Sequence, residues 1–296
     1  MIALLLSIGV STLLFSCFRL FPKFRVRLEE AVVINYIVAG TVAISVAGPS
    51  HAMGRMDEPS TLAGAMMGLA FLYMFKKIGE CTQKLGLGVV AIATKMSMVL
   101  PMAVFILLDP EDGLTVRKGL ALILAFPAVW LASQPGKTEP AIPAAEGEPR
   151  PGWALPAIVF LGSGLIDLGF GLYSGEAHMA SDADRLTFAA VPFTVAAAMG
   201  LLRWLVLPHA KPVLDLHSVL GGIVLGIINV GSLYFLLLAY QEMPFPRSSI
   251  VPSNNLGIVL ATSLAGILFF RERPTPRNIA GWALASTALL LLLLPG

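Results

Sequence analysis

Charge is scarce in this chain: of 296 residues, 20 are Lys or Arg and 18 are Asp or Glu. A soluble globular domain carries about a quarter of its residues charged. Here 13% are charged and 56% hydrophobic, which excludes a soluble fold. The net charge of +2 is too small to argue for a nucleic-acid partner, and none is expected. Cysteine is nearly missing too. Cys17 and Cys81 form no spacing pattern for a disulfide framework or a metal site. His51, His178, His209 and His217 fall in connecting segments at spacings that suit no metal. There is no glycine-rich phosphate loop and no nucleophile–base constellation. No cofactor and no metal are therefore expected, and the chain is read as not an enzyme.

What the chain has in abundance is long apolar sequence. Apolar runs cover residues 2–18, 31–46, 61–75, 85–108, 120–133, 153–173, 186–202, 218–240, 248–270 and 279–294, and only the fourth (Lys95) and sixth (Asp167) contain a charge. A helix needs about 20 mostly apolar residues to cross the hydrocarbon core of a bilayer, so the shorter runs are expected to extend into flanking polar residues. The runs are continuous rather than alternating, which favours helices over barrel strands. The expected fold is an all-α integral membrane protein of ten transmembrane helices. No basic leader precedes the first run, which argues against a cleaved signal peptide. Leu14-Phe15-Ser16-Cys17 resembles a lipoprotein cleavage box only weakly.

Basic residues set the expected orientation. Fourteen Lys and Arg fall in the connections after odd-numbered runs, five in the alternate ones, and Lys95 lies inside a run. Because Lys and Arg are retained on the cytoplasmic side, both termini are expected outside a cell membrane (inner or plasma). Residues 134–152 hold five prolines and three glutamates and read as an extended linker. It separates residues 1–133 from 153–296, five apolar runs on each side. A shift of 162 residues superposes Glu80 on Glu242, Gly119 on Gly281 and Leu122 on Leu284. An odd number of spans per unit turns the second copy upside-down, giving two inverted five-helix repeats, a common plan of secondary transporters.

Ionisable groups at membrane depth cost several kcal/mol and mark pathways or coupling sites. Lys95 lies ten residues into the fourth run. Pro101 removes the hydrogen bond that the Ser97 carbonyl would receive, so Lys95 and Ser97 are expected at a polar break in the helix. Asp167 in the sixth run is the candidate partner. The two either respond to protons or form a permanent ion pair; the alternatives of solute contact and Asp167 contact stay open. In the ninth run, Pro252 is expected to interrupt the helix beside Ser253, Asn254 and Asn255, freeing a carbonyl near Ser248. Interrupted helices at corresponding places in two halves point to a transport site, although asparagine also serves as interhelical glue. Asn35 and Tyr36 in the second run and Asn229 with Tyr234 in the eighth are further candidates for a cavity lining. The pairs Gly64/Gly68 and Gly222/Gly226 are read as packing, Glu29 and Glu30 as surface groups at a helix start, and Glu176, His178, Asp182 and Asp184 as a solvated loop.

Two stretches bear a wider likeness. One is Lys95-Met-Ser-Met-Val-Leu-Pro101 running into Asp109-Pro-Glu-Asp and then Gly119. The other is Pro252-Ser-Asn-Asn-Leu-Gly257 leading to Phe269-Phe-Arg-Glu272-Arg and then Gly281. With the five-plus-five arrangement, they make the chain resemble the EamA-like members of the drug/metabolite transporter superfamily over its whole length. The resemblance implies a secondary transporter or exporter of small metabolites, amino-acid-like or otherwise polar or anionic. It would work by alternating access around a cavity between the two halves, with membrane lipid as surroundings and proton coupling left open. A monomer or homodimer is expected. Members of that family commonly keep both termini in the cytoplasm, opposite to the charge bias here. The rival reading is a membrane-embedded enzyme acting on lipid-linked intermediates, which usually needs a surface cluster of His, Asp or Glu.

Overall fold

The structure, a computed structural model, describes residues 1–55, 58–85, 93–108, 113–132, 154–174, 179–207, 212–242, 246–270 and 273–293. The linker 134–152, Glu176, His178 and His209 lie outside them. Every described element is helical: α1 (Ile2–Leu20), α2 (Leu28–Ala47), α3 (Pro49–Gly54), α4 (Pro59–Leu85), α5 (93–96), α6 (Val99–Leu108), α7 (Val116–Ala132), α8 (Ala154–Tyr173), α9 (Asp182–Val206), α10 (Leu216–Glu242), α11 (Arg247–Phe270) and α12 (Pro276–Leu293). Six of these, α2 and α8–α12, are long and apolar enough to cross a membrane. The expected runs are helical where described, apart from a turn at residues 97–98 in the fourth, and most helices reach into polar flanks. α4 does so furthest, ending ten residues past the run at 75. The short helix α3 was not expected; Pro49 begins it at a position where the missing N–H costs nothing.

The chain folds as two compact units, Met1–Tyr73 with Gly169–Glu242, and Met74–Leu168 with Met243–Gly296. Each draws helices from both sides of the linker. In the first unit α2 packs against α9 and α10, and α1 against α10. Helices in a bilayer gain little from the hydrophobic effect and associate by close van der Waals packing, which small residues permit. A Cβ on Gly222 or Gly226 of α10 would stand 2.8 Å from the carbonyl oxygens of Ala31 and Asn35 of α2. Gly64 and Gly68 of α4 likewise lie against Val191, Pro192 and Val195 of α9. Both glycine pairs serve packing, as expected.

In the second unit α12 packs along α7, and α11 packs against α6, α7 and α12. Gly281 carries the α7–α12 contact: a Cβ there would meet the Ala132 amide and lie 2.9 Å from the Ala128 carbonyl oxygen. At Gly119, its partner under the 162-residue shift, a Cβ would meet nothing within 4 Å. The helix α11 is the core of this unit, with every residue from Ser248 to Val259 buried.

Candidate functional site

Within the second unit, the fourth apolar run is not one helix. Helical geometry stops after Met96, turns through Ser97 and Met98, and resumes at Val99. The cause is local. Pro101 offers no N–H to the Ser97 carbonyl, which instead accepts from the Leu100 amide at 3.0 Å, while the Met98 amide donates to the Lys95 carbonyl at 3.4 Å. Both are tightened i→i+3 bonds. The Ser97 carbonyl is therefore not free, contrary to expectation. The Ser97 hydroxyl, fully buried, donates to the Thr94 carbonyl at 2.6 Å, so this side chain caps the break rather than lining a site. Gly164 of α8 fits against the same turn: a Cβ would lie 2.9 Å from the Ser97 carbonyl oxygen and 2.5 Å from Leu100 Cδ1.

The break presents Lys95 to two elements from the other side of the linker. Its Nζ donates to Asn255 Oδ1 of α11 at 3.2 Å. The carboxylate of Asp167, one turn after Gly164 on α8, acts electrostatically on Lys95 and faces the Asn255 side-chain amide. That last contact is loose, since Asn255 Nδ2 makes no hydrogen bond of good geometry. Lys95 and Asp167 are partly buried, whereas Ser253, Asn254 and Asn255 are buried. Three consecutive residues of α11 leave buried polar atoms unpartnered: Ser253 Oγ, Asn254 Oδ1 and Asn255 Nδ2. Such atoms normally find a partner, because each orphan costs about 1–3 kcal/mol. Here they fall on one segment, and the last of them, Asn255, reaches the Lys95 ammonium.

Apolar packing borders the trio. Met74, Cys81, Ala93 and Val159 form a buried cluster with Ile166 against it, so Ala93 and Ile166 place hydrocarbon two residues before Lys95 and one before Asp167. A cleft of about 680 Å³, walled by Met96, Phe126, Trp130 and Phe160 among others, is also apolar. None of the polar candidates lines it.

The ninth run departs from expectation. α11 runs unbroken from Arg247 through Pro252 to Phe270. Pro252 falls in the second turn, where it removes one helical bond, and its buried surroundings hold the remaining residues helical. Pro127 and Pro192 are carried inside α7 and α9 in the same way. The two halves are thus interrupted at one of the two corresponding places only.

Other candidates belong to the first unit. Asn229 Nδ2 of α10 donates to Asn35 Oδ1 of α2 at 3.1 Å, a bond that ties the two helices together. Tyr36 is buried in a stack with Phe71 and Phe193, each at 6.2 Å between ring centres. Tyr234 donates to Asp182 at 2.9 Å. The expected solvated loop is more ordered than that reading allowed. Ser181 and Asp184 form a reciprocal cap on α9, and Asp184 is 5% exposed. His51 Nε2 meets its carboxylate at 2.8 Å and Arg55 Nε at 2.9 Å. The Ser181-x-x-Asp184 spacing was the available signal, as a capping-box variant. Glu29 is exposed, as expected, and pairs with Arg203 at 3.2 Å. Among the described residues, no group of His, Cys, Asp and Glu has the makings of a metal site.

These features define an all-α chain whose apolar helices suit a membrane. It is similar over nearly its whole length to an uncharacterized protein of Haemophilus influenzae, 25% identical over 302 residues that cover 98% of this chain and 95% of the relative. No family model matches the chain. A protein of known crystal structure superposes with a TM-score of 0.70, covering 99% of this chain and 98% of its own, at 12% identity. That likeness is one of fold alone.

Proposed function

We propose that this protein is a secondary transporter or exporter of small polar or anionic metabolites, set in a cell membrane as ten helices in two inverted five-helix repeats. The observation that carries the reading is the Lys95–Asp167–Asn255 trio at a helix break in an apolar bundle. Charge of this kind at membrane depth marks solute or ion pathways. Unwound helix beside it is the usual form of a midplane transport site. Lys95 comes from one side of the linker, Asp167 and Asn255 from the other, which suits a site at the seam of two repeats. The helix pairs α2–α9, α6–α11 and α7–α12 each join elements at matching places in the two halves, as a duplicated plan requires. The resemblance to drug/metabolite transporters agrees with these features, and the distribution of basic residues favours termini outside.

In this reading Lys95 receives the anionic group of the solute, and Ser253, Asn254 and Asn255 receive its hydrogen-bonding groups. Alternating access then follows from motion about the break at Ser97 and Met98. The test is uptake of a labelled pool of small mono- and dicarboxylates into vesicles holding the purified full chain. Lys95→Met should abolish uptake while folded protein stays in the membrane. Undiminished uptake would place the site elsewhere, and hydrolase or transferase activity on lipid-linked substrates would favour the enzyme reading instead.

A further inference from the structure

Net charge is poorly tolerated inside a bilayer, so neutrality governs what the trio can hold. With Lys95 and Asp167 both ionised, it is neutral. A solute anion bound at Lys95 leaves one negative charge in excess, which a single proton on Asp167 cancels. We propose that Asp167 carries the proton of the transport cycle, and that an anionic solute and a proton occupy the trio together. Used in transport, this rests on the function proposed above; the titration itself does not.

Three features of the geometry favour it. Among the described residues, Lys95 is the charged group acting on Asp167, and the other neighbour, Asn255, does not titrate. Asn255 already accepts from Lys95 through Oδ1 at 3.2 Å while its Nδ2 lies buried and unpartnered on the Asp167 side. Its side chain therefore faces both charged groups. The two residues before it, Ser253 and Asn254, are also buried, with Ser253 Oγ and Asn254 Oδ1 unpartnered.

The step is a simple proton addition. A proton from water bonds to a carboxylate oxygen of Asp167, which changes from an acceptor into a donor. The Lys95 ammonium then turns its full charge to the solute carboxylate. On the far side the solute leaves, the O–H bond breaks and the proton returns to water. Nothing is oxidised or reduced.

The test uses protons as the probe. The full chain in lipid vesicles is titrated while infrared difference spectra follow the carbonyl band of protonated carboxyl groups. Wild type minus Asp167→Asn should isolate one titrating band, Asp167→Glu should restore it at a displaced frequency, and Lys95→Met should move its midpoint. Identical titrations in wild type and Asp167→Asn would overturn the proposal, as would a midpoint indifferent to Lys95→Met. In uptake, Asp167→Asn should lose at least tenfold of accumulation driven by a proton gradient, and the uptake that remains should no longer respond to that gradient. Uptake without an Asp167 titration sinks this inference alone. A titrating Asp167 in a chain that moves no organic anion sinks the transport reading.

Discussion

Gly164→Ala should damage the candidate site without touching any of its polar atoms. The added methyl would lie 2.9 Å from the Ser97 carbonyl oxygen and 2.5 Å from Leu100 Cδ1, where ordinary contact begins at 3.4 Å. The leucine end can turn away. The carbonyl is fixed by its bond from the Leu100 amide, so α8 and the turn must part by about 0.5 Å, the difference between those two distances. Overpacking of this kind costs ~1–3 kcal/mol. The gain from replacing glycine in a helix offsets ~1 kcal/mol, leaving a net loss of ~0–2 kcal/mol and a melting midpoint lower by up to a few degrees. Asp167 lies three residues further along the same helix face and moves with it. A misplacement of 1 Å at a positioned centre costs about 100-fold, so half of that predicts roughly tenfold slower uptake. Thermal melting by tryptophan fluorescence in detergent and vesicle uptake measure the two effects. A Gly164→Ala protein with wild-type melting and uptake would refute the claim that this close approach sets the site.

Gly281→Ala should destabilise the chain by up to ~2 kcal/mol through the same balance of overpacking and propensity. Gly119→Ala, with open space around it, should be neutral or gain up to ~1 kcal/mol; paired melting curves separate them. At the start of α10, the Ser218 backbone N–H, with the Ser218 hydroxyl, holds the Asp215 carboxyl below the usual carboxylate range. Its contribution is therefore full above that range and is lost as pH falls through the depressed value. Asp215→Asn keeps an N-cap acceptor but not the titration, so its melting midpoint should fall less on acidification than that of the wild type. Equal losses would show that Asp215 does not matter to acid stability.

The helices were legible because nothing but continuous apolar sequence is needed to specify them. The break before Pro101 was legible for a similar reason: proline chemistry acts locally, removing the N–H that the Ser97 carbonyl would otherwise accept. The same argument failed at Pro252, because whether a proline breaks a helix or is carried through depends on the packing around it, and α11 is buried on all sides at that level. Lys95 and Asp167 could be singled out from the expense of charge in a bilayer. The contact between Lys95 and Asn255, 160 residues apart, depends on which helices become neighbours, and no local pattern records that. Asp184 was misread as solvated for the same reason, since His51 and Arg55 reach it from a distant segment.

The pairing of α7 with α12, of α6 with α11 and of α2 with α9 has a consequence for how the chain is made. A ribosome that has delivered residues 1–133 into the bilayer has supplied segments whose chief neighbours are still untranslated. Those early segments must wait in lipid, or beside an insertion partner, with their glycine-lined faces unfilled. Expressed alone, either portion should be cleared by proteolysis. Expressed together as separate polypeptides, the two should protect each other.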